Sequence, residues 1–162
     1  MDQKKNHTGS TFYDHTSKYH EEFRLPDEAT IYTAEMFAIS EALKYILRTY
    51  RLKSVIFTDC RGVIERLKNI SAAKNLSHLE VEILQTNHEI LSSQWEVLIV
   101  WIKGHSGIQG NEIADKFAKF ASELHRDSIN QCIPYTDLNF TLKVQLRTKW
   151  QELYDSKQIG LK

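Results

Sequence analysis

The chain has 162 residues, 41% of them apolar and 26% charged, a balance that excludes general disorder and fits one domain with a core and a short extension. Its 21 Lys and Arg offset its 21 Asp and Glu, so no overall field gathers a polyanion; nucleic acid would need a local patch or bound cations. Two cysteines, Cys60 and Cys132, exclude a disulfide framework, and the longest apolar run, Val97 to Ile102, is far short of the roughly 20 residues that span a bilayer.

In chain order, Met1 to His7 carries no apolar stretch of signal-peptide type, so an intracellular setting, nuclear or cytoplasmic, is expected. Thr11-Phe12-Tyr13 and Tyr19 to Leu25 alternate as short strands around the polar run Asp14 to Lys18, a hairpin pattern. Pro26-Asp27 marks a turn, and Thr33 is placed to cap a helix running to about Thr49, with Ile39, Leu43 and Ile46 on its apolar face. Glu35 falls on that same side, four residues before Ile39. It is either an exposed first-turn glutamate favoured by the helix dipole or a carboxylate that needs a partner to be buried.

Val55 to Thr58 reads as a compact strand with Asp59 at its end, then Arg61 to Asn69 as a short helix and about Asn75 to Leu91 as a longer one. Trp95 to Ile102 is the strongest strand pattern, apolar on both faces, which predicts an interior strand covered by helices on at least one side. A glycine-punctuated loop, Gly104 to Gly110, leads into a helix over Asn111 to about Leu124. Residues 127–131 form a polar link, and from Asp137 a four-residue repeat of Leu138, Leu142, Leu146, Trp150 and Tyr154 predicts an amphipathic helix. The expected division is therefore a domain over 1–126 and a linker with a C-terminal amphipathic helix over 127–162. The order of strands and helices requires an α/β fold with a mixed sheet.

If the strands ending at Asp59 and at Ile102 are parallel neighbours, Asp59 and the His105 loop share one carboxyl edge, where such sheets form ligand crevices. Asp115, one helical turn after Asn111, can point back to that edge. Glu35, Asp59 and Asp115 together would repel one another in a poorly hydrated cleft, a conflict that divalent cations relieve. Mg²⁺ or Mn²⁺ suits an all-oxygen set, whereas zinc fits badly without cysteine or a second histidine nearby. His105 is a candidate proton shuttle; the alternative is a loop histidine that stabilises a turn.

The run Gly104-His105-Ser106-Gly107-Ile108-Gln109-Gly110-Asn111-Glu112-Ile113-Ala114-Asp115-Lys116-Phe117-Ala118-Lys119 resembles the terminal motif of type 1 ribonuclease H domains, most of all those of non-LTR retrotransposon polyproteins. Thr33-Ala34-Glu35-Met36-Phe37-Ala38-Ile39 resembles the helix that carries the family's second catalytic acid, and Ile56-Phe57-Thr58-Asp59 the strand that carries the third. The resemblance covers about Gly9 to Leu124. It implies metal-dependent endonucleolytic hydrolysis of the RNA strand of an RNA–DNA hybrid, with Glu35, Asp59 and Asp115 as metal-binding catalytic acids and His105 assisting proton transfer and product release. It also implies a hybrid recognised by shape and 2′-hydroxyls, and an upstream reverse transcriptase region in an intact parent polyprotein.

Three departures accompany the match. The family's opening central strand and its first catalytic Asp have no clear counterpart, so the fold is expected to be ribonuclease H-like with that strand largely missing. Asp2 is the nearest acid and the candidate fourth metal ligand. Cys60 follows Asp59 where Ser is usual, and Lys103 precedes Gly104 where Pro is common; Lys103 is placed to contact phosphate. The alternative function is a non-catalytic nucleic-acid-binding or protein-binding remnant of a retroelement.

Overall fold

A computed structural model describes residues 7–124 and 133–159. Its first elements are the strands β1 (Gly9–Asp14) and β2 (Tyr19–Arg24), paired antiparallel as a hairpin. The turn closes locally: the Asp14 carboxylate accepts the Thr16 amide at 3.0 Å, and Lys18 takes a left-handed φ of 61°. The far end of the hairpin is then clamped, because Asp14 also accepts from Arg51 and from the Tyr45 hydroxyl.

Helix α1 (Ile31–Arg48) is the centre of the core and presents Met36, Ile39, Leu43 and Ile46 at helical spacing, each no more than 6% exposed. Its N-cap is Thr30, whose hydroxyl accepts the Thr33 amide at 3.2 Å. The helix thus starts three residues earlier than the cap expected at Thr33. Both threonines fit the cap pattern, and Asp137 holds both. One Asp137 oxygen accepts the Thr30 amide at 2.9 Å and the Thr33 hydroxyl at 2.6 Å.

Strand β3 (Lys53–Thr58) follows, then α2 (Arg61–Lys68), a 3₁₀ turn (Ile70–Ala72) and α3 (His78–Ser92). A capping box between Ser77 and Glu80 opens α3, so that helix begins later than the Asn75 expected from its apolar spacing. It packs on α1 through Leu79, Ile83 and Ile90, and Ser40, fully buried on α1, donates to Glu82 at 2.7 Å. Strand β4 (Glu96–Trp101) pairs parallel with β3 in the register Thr58↔Trp101.

Two two-stranded ladders, β1–β2 and β3–β4, stand in place of one continuous mixed sheet among the described residues. This corrects the expectation for Trp95 to Ile102: β4 has one strand partner, not two. Val97 and Ile99 pack against the core, while Leu98 and Val100 on the other face are 63% and 38% exposed. An apolar pattern on both faces therefore marks an open face here rather than a second cover.

Helix α4 (Gln109–Glu123) lies against β1 and β2, with His20 stacked on Phe117 at 3.7 Å between ring centres. The approach is close enough that a Cβ on Gly9 would come within 1.9 Å of the Ala118 carbonyl oxygen, so only glycine fits there. Helix α5 (Tyr135–Ile159) carries the predicted stripe, but Leu142, Leu146 and Trp150 are exposed. The link over 127–131, together with Cys132, lies outside the described residues. No described helix is long and apolar enough to cross a membrane.

Candidate active site

The parallel β3–β4 pair brings two chain ends to one edge: Asp59 directly after β3, and Lys103 to Ile108 after β4. The Trp101 indole N–H donates to the Asp59 carbonyl oxygen at 3.0 Å, which ties the two ends together. The loop then turns through two left-handed residues, His105 at φ 51° and Gly107 at φ 78°, before α4 starts. Gly104 is required by proximity rather than by φ, since a Cβ there would lie 2.7 Å from the Asp59 Oδ2.

Glu35, from the second turn of α1, Asp59, from the end of β3, and Asp115, from the second turn of α4, line one cleft of about 390 Å³. The Asn111 amide lies between two of them, reaching Asp59 Oδ2 at 3.4 Å and Asp115 Oδ2 at 3.5 Å. The Thr58 hydroxyl points to Glu35 Oε2 at 3.4 Å. These contacts are long, so the carboxylates are oriented but not saturated.

The electrostatics follow from this crowding. Burial, then the Asp59 and Asp115 charges, push the Glu35 carboxyl up to about 7. Burial and Asp59 also raise Asp115, while the neighbouring His105 pulls it the other way. Burial, reinforced by the charges of Glu35 and Asp59, raises the Cys60 thiol, which keeps it protonated and out of the anionic set.

The structure thus brings Glu35, Asp59 and Asp115 to one cleft; His105 is not among the residues that line it, but lies near enough to act electrostatically on Asp115. Asp2 lies outside the described residues. Asn111 and Thr58 reach the acids directly; the sequence analysis used Asn111 only to place Asp115 one helical turn on and gave no sign of Thr58, whose hydroxyl role depends on where α1 packs. The donor set is all oxygen, which suits a hard cation. Among the described residues, no three His, Cys, Asp or Glu side chains stand close enough to enclose one ion.

The family model for RNase H matches residues 1–123. The ribonuclease HI of Helicobacter pylori (strain ATCC 700392 / 26695) is 32% identical over 98 residues, which are 55% of this chain and 63% of that protein. A ribonuclease H of Ruthia magnifica is 30% identical over 97 residues, 55% of this chain and 66% of that protein. The chain thus spans just under two thirds of each of these relatives. Among solved structures, the protease–reverse transcriptase of prototype foamy virus superposes with a TM-score of 0.53 at 20% identity, covering 78% of this chain and 22% of that one, a likeness of fold.

Proposed function

The chain belongs to the ribonuclease H family, and we propose that it hydrolyses the RNA strand of an RNA–DNA hybrid in a reaction that depends on Mg²⁺ or Mn²⁺. The observation that carries this reading is the convergence of three carboxylates, from α1, the end of β3 and α4, in a single cleft at the carboxyl edge of a parallel strand pair. A retroelement setting, with a reverse transcriptase region upstream in a parent polyprotein, is supported by the Gly104 to Lys119 motif, and an intracellular location by the substrate itself.

Asp59, Asp115 and Glu35 are the residues that would hold the cation, and the Asn111 amide reaches the first two. A bound divalent ion supplies the positive charge that polarises water and phosphate and lets a neutral protein approach a polyanion. Asn111 keeps the Asp59 and Asp115 oxygens facing each other, and Thr58 steers Glu35. Lys103 stands at the mouth of the loop, where a phosphate oxygen of the substrate backbone would pass. Water adds at phosphorus as the bond to the 3′ oxygen breaks, leaving a 5′-phosphate and a 3′-hydroxyl. The proton lost by the water and the proton gained by the departing oxygen balance, and His105, on its turn beside Asp115, is placed to carry one of them.

The test is cleavage of an end-labelled hybrid in Mg²⁺ by the full chain and by Asp59→Asn and Asp115→Asn. Each substitution is expected to lower the rate by about 100-fold or more, since each removes a carboxylate that would hold the cation. Cleavage unchanged in both variants would overturn the assigned site. A second reading is hybrid binding without cleavage. Its signature is saturable hybrid binding that the two substitutions leave intact, with no metal-dependent product.

A further inference from the structure

We propose that two copies of this chain pair by exchanging α5: the helix of one copy lies on the open face of β3–β4 of the other, and the reverse contact closes a two-fold dimer. Register defines that face. Val55 stands opposite Leu98 and Phe57 opposite Val100, so these four side chains project together from one side of the parallel pair. All four are exposed. The other side carries Ile56, Val97 and Ile99 into the core, and α4 lies on β1 and β2 instead. Parallel strands of this apolar character are ordinarily covered by helices on both faces, so the cover that fits here is a helix.

The same chain carries an uncovered helical stripe. Leu142, Leu146, Trp150 and Leu153 follow one another on α5 at steps of three and four residues, and every residue from Leu142 to Leu153 is exposed. A helix that stands alone in water is marginal, and packing of its apolar face is what stabilises it. Its own chain is badly placed to supply that packing. Asp137 ties the first turn of α5 to Thr30 and Thr33 at the start of α1, and α1 packs against the inner face of β3–β4. A continuous helix held there would have to break in order to return over the outer face.

Size and charge agree with a second copy. The stripe from Leu142 to Leu153 is about 17 Å long, and the face from Lys53 to Asp59 about 20 Å. Eight side chains with on the order of 100 Å² exposed each give about 800 Å² per contact and about 1,600 Å² for the exchanged pair, the size of a stable interface. Charge gives the contact a direction. Lys143, Arg147 and Lys149 lie in the first half of the stripe, and Glu152 and Asp155 towards its end. The open face ends at Asp59, so the helix lies antiparallel to the strands with its basic half at that acid. A lipid surface would cover the stripe of α5 but leave Val55, Phe57, Leu98 and Val100 bare; exchange covers both.

The test uses the full chain without metal or hybrid, so its outcome is separate from that of the proposed catalysis. Sedimentation equilibrium over micromolar to sub-millimolar protein is expected to show monomer and dimer. Leu146→Glu on the helix and Leu98→Glu on the sheet are each expected to raise the dissociation constant by about 100-fold or more. Both side chains are exposed, so the far-ultraviolet circular dichroism should stay that of the parent. Mixed in equal amounts, the two variants are expected to associate more tightly than either alone, because the intact helix of one meets the intact face of the other. A dimer that Leu98→Glu leaves unchanged would mean that α5 pairs with α5, and a mixture no tighter than its components would mean that helix and sheet do not meet; either overturns the proposal. So does a parent chain that stays monomeric throughout, and if that monomer binds phosphatidylcholine–phosphatidylserine vesicles, the stripe belongs to a lipid surface instead.

Discussion

Glu35 keeps its proton to about pH 7 in the folded chain, against an ordinary value of 4.5, because it is buried near Asp59 and Asp115. Between those two values the folded state holds more protons than the unfolded one, so this residue's contribution to stability falls as pH rises through the window and levels off above it. The shift corresponds to about 3 kcal/mol at most. Glu35→Gln is therefore expected to flatten the pH dependence of urea unfolding between the two values and to raise stability at alkaline pH. A cation that favours the ionised form acts in the opposite sense, so Mg²⁺ should raise the Tm of the parent chain at pH 8 and leave it unchanged at pH 5. Gly104 offers a test of position rather than charge. A methyl group there would press on Asp59 Oδ2, and Gly104→Ala is expected to lower hybrid cleavage by about 100-fold while unfolding moves little. Three of the residues involved, Glu35, Asp59 and Asp115, were legible in the sequence chiefly through the three motifs that resemble the family, since position alone left Glu35 and Asp59 open to plainer readings. Thr58 was not, because a threonine closing a strand has no mark until the helix carrying Glu35 is packed beside it.

Among the elements, the contact of α4 with β1 has the least tolerance. Gly9→Ala would drive a Cβ into the α4 backbone at Ala118 and Ser122, and a loss of about 3 kcal/mol or more is expected in denaturant unfolding. Helix α5 is held at its start by Asp137, which is 4% exposed and accepts from the Thr30 amide and the Thr33 hydroxyl. Asp137→Ala leaves those donors short of an acceptor and should cost about 2 kcal/mol, with faster amide exchange in the first turns of both α1 and α5. This anchor explains why the start of α1 was misplaced in the sequence. Thr30 and Thr33 are equivalent as cap residues in the sequence, and both are bound by a carboxylate more than a hundred positions away. The apolar stripe of α5 was legible from its four-residue repeat, yet periodicity reports that a face is apolar and not what covers it; Leu142, Leu146 and Trp150 remain exposed.

At the scale of the molecule, a formal charge of zero gives no long-range attraction for nucleic acid, so the acid cleft would bind a hybrid only with counter-charge supplied. Hybrid affinity at constant ionic strength is expected to rise when Mg²⁺ replaces monovalent salt, and Asp59→Asn with Asp115→Asn should remove that gain in a fluorescence-anisotropy titration. The amino-acid sequence by itself determined the types and order of the elements, the helix–strand alternation of an α/β fold, and the placing of three acids and a histidine at the ends of elements. These are local properties, set by side-chain periodicity, capping and turn residues within a few positions of one another. Only the tertiary structure decided that β3 and β4 run parallel so that the acids meet, that the described strands pair as two ladders, and that Glu35 holds its proton to neutral pH. Each of these depends on burial and on distances through space between residues far apart in the chain, which no local pattern encodes.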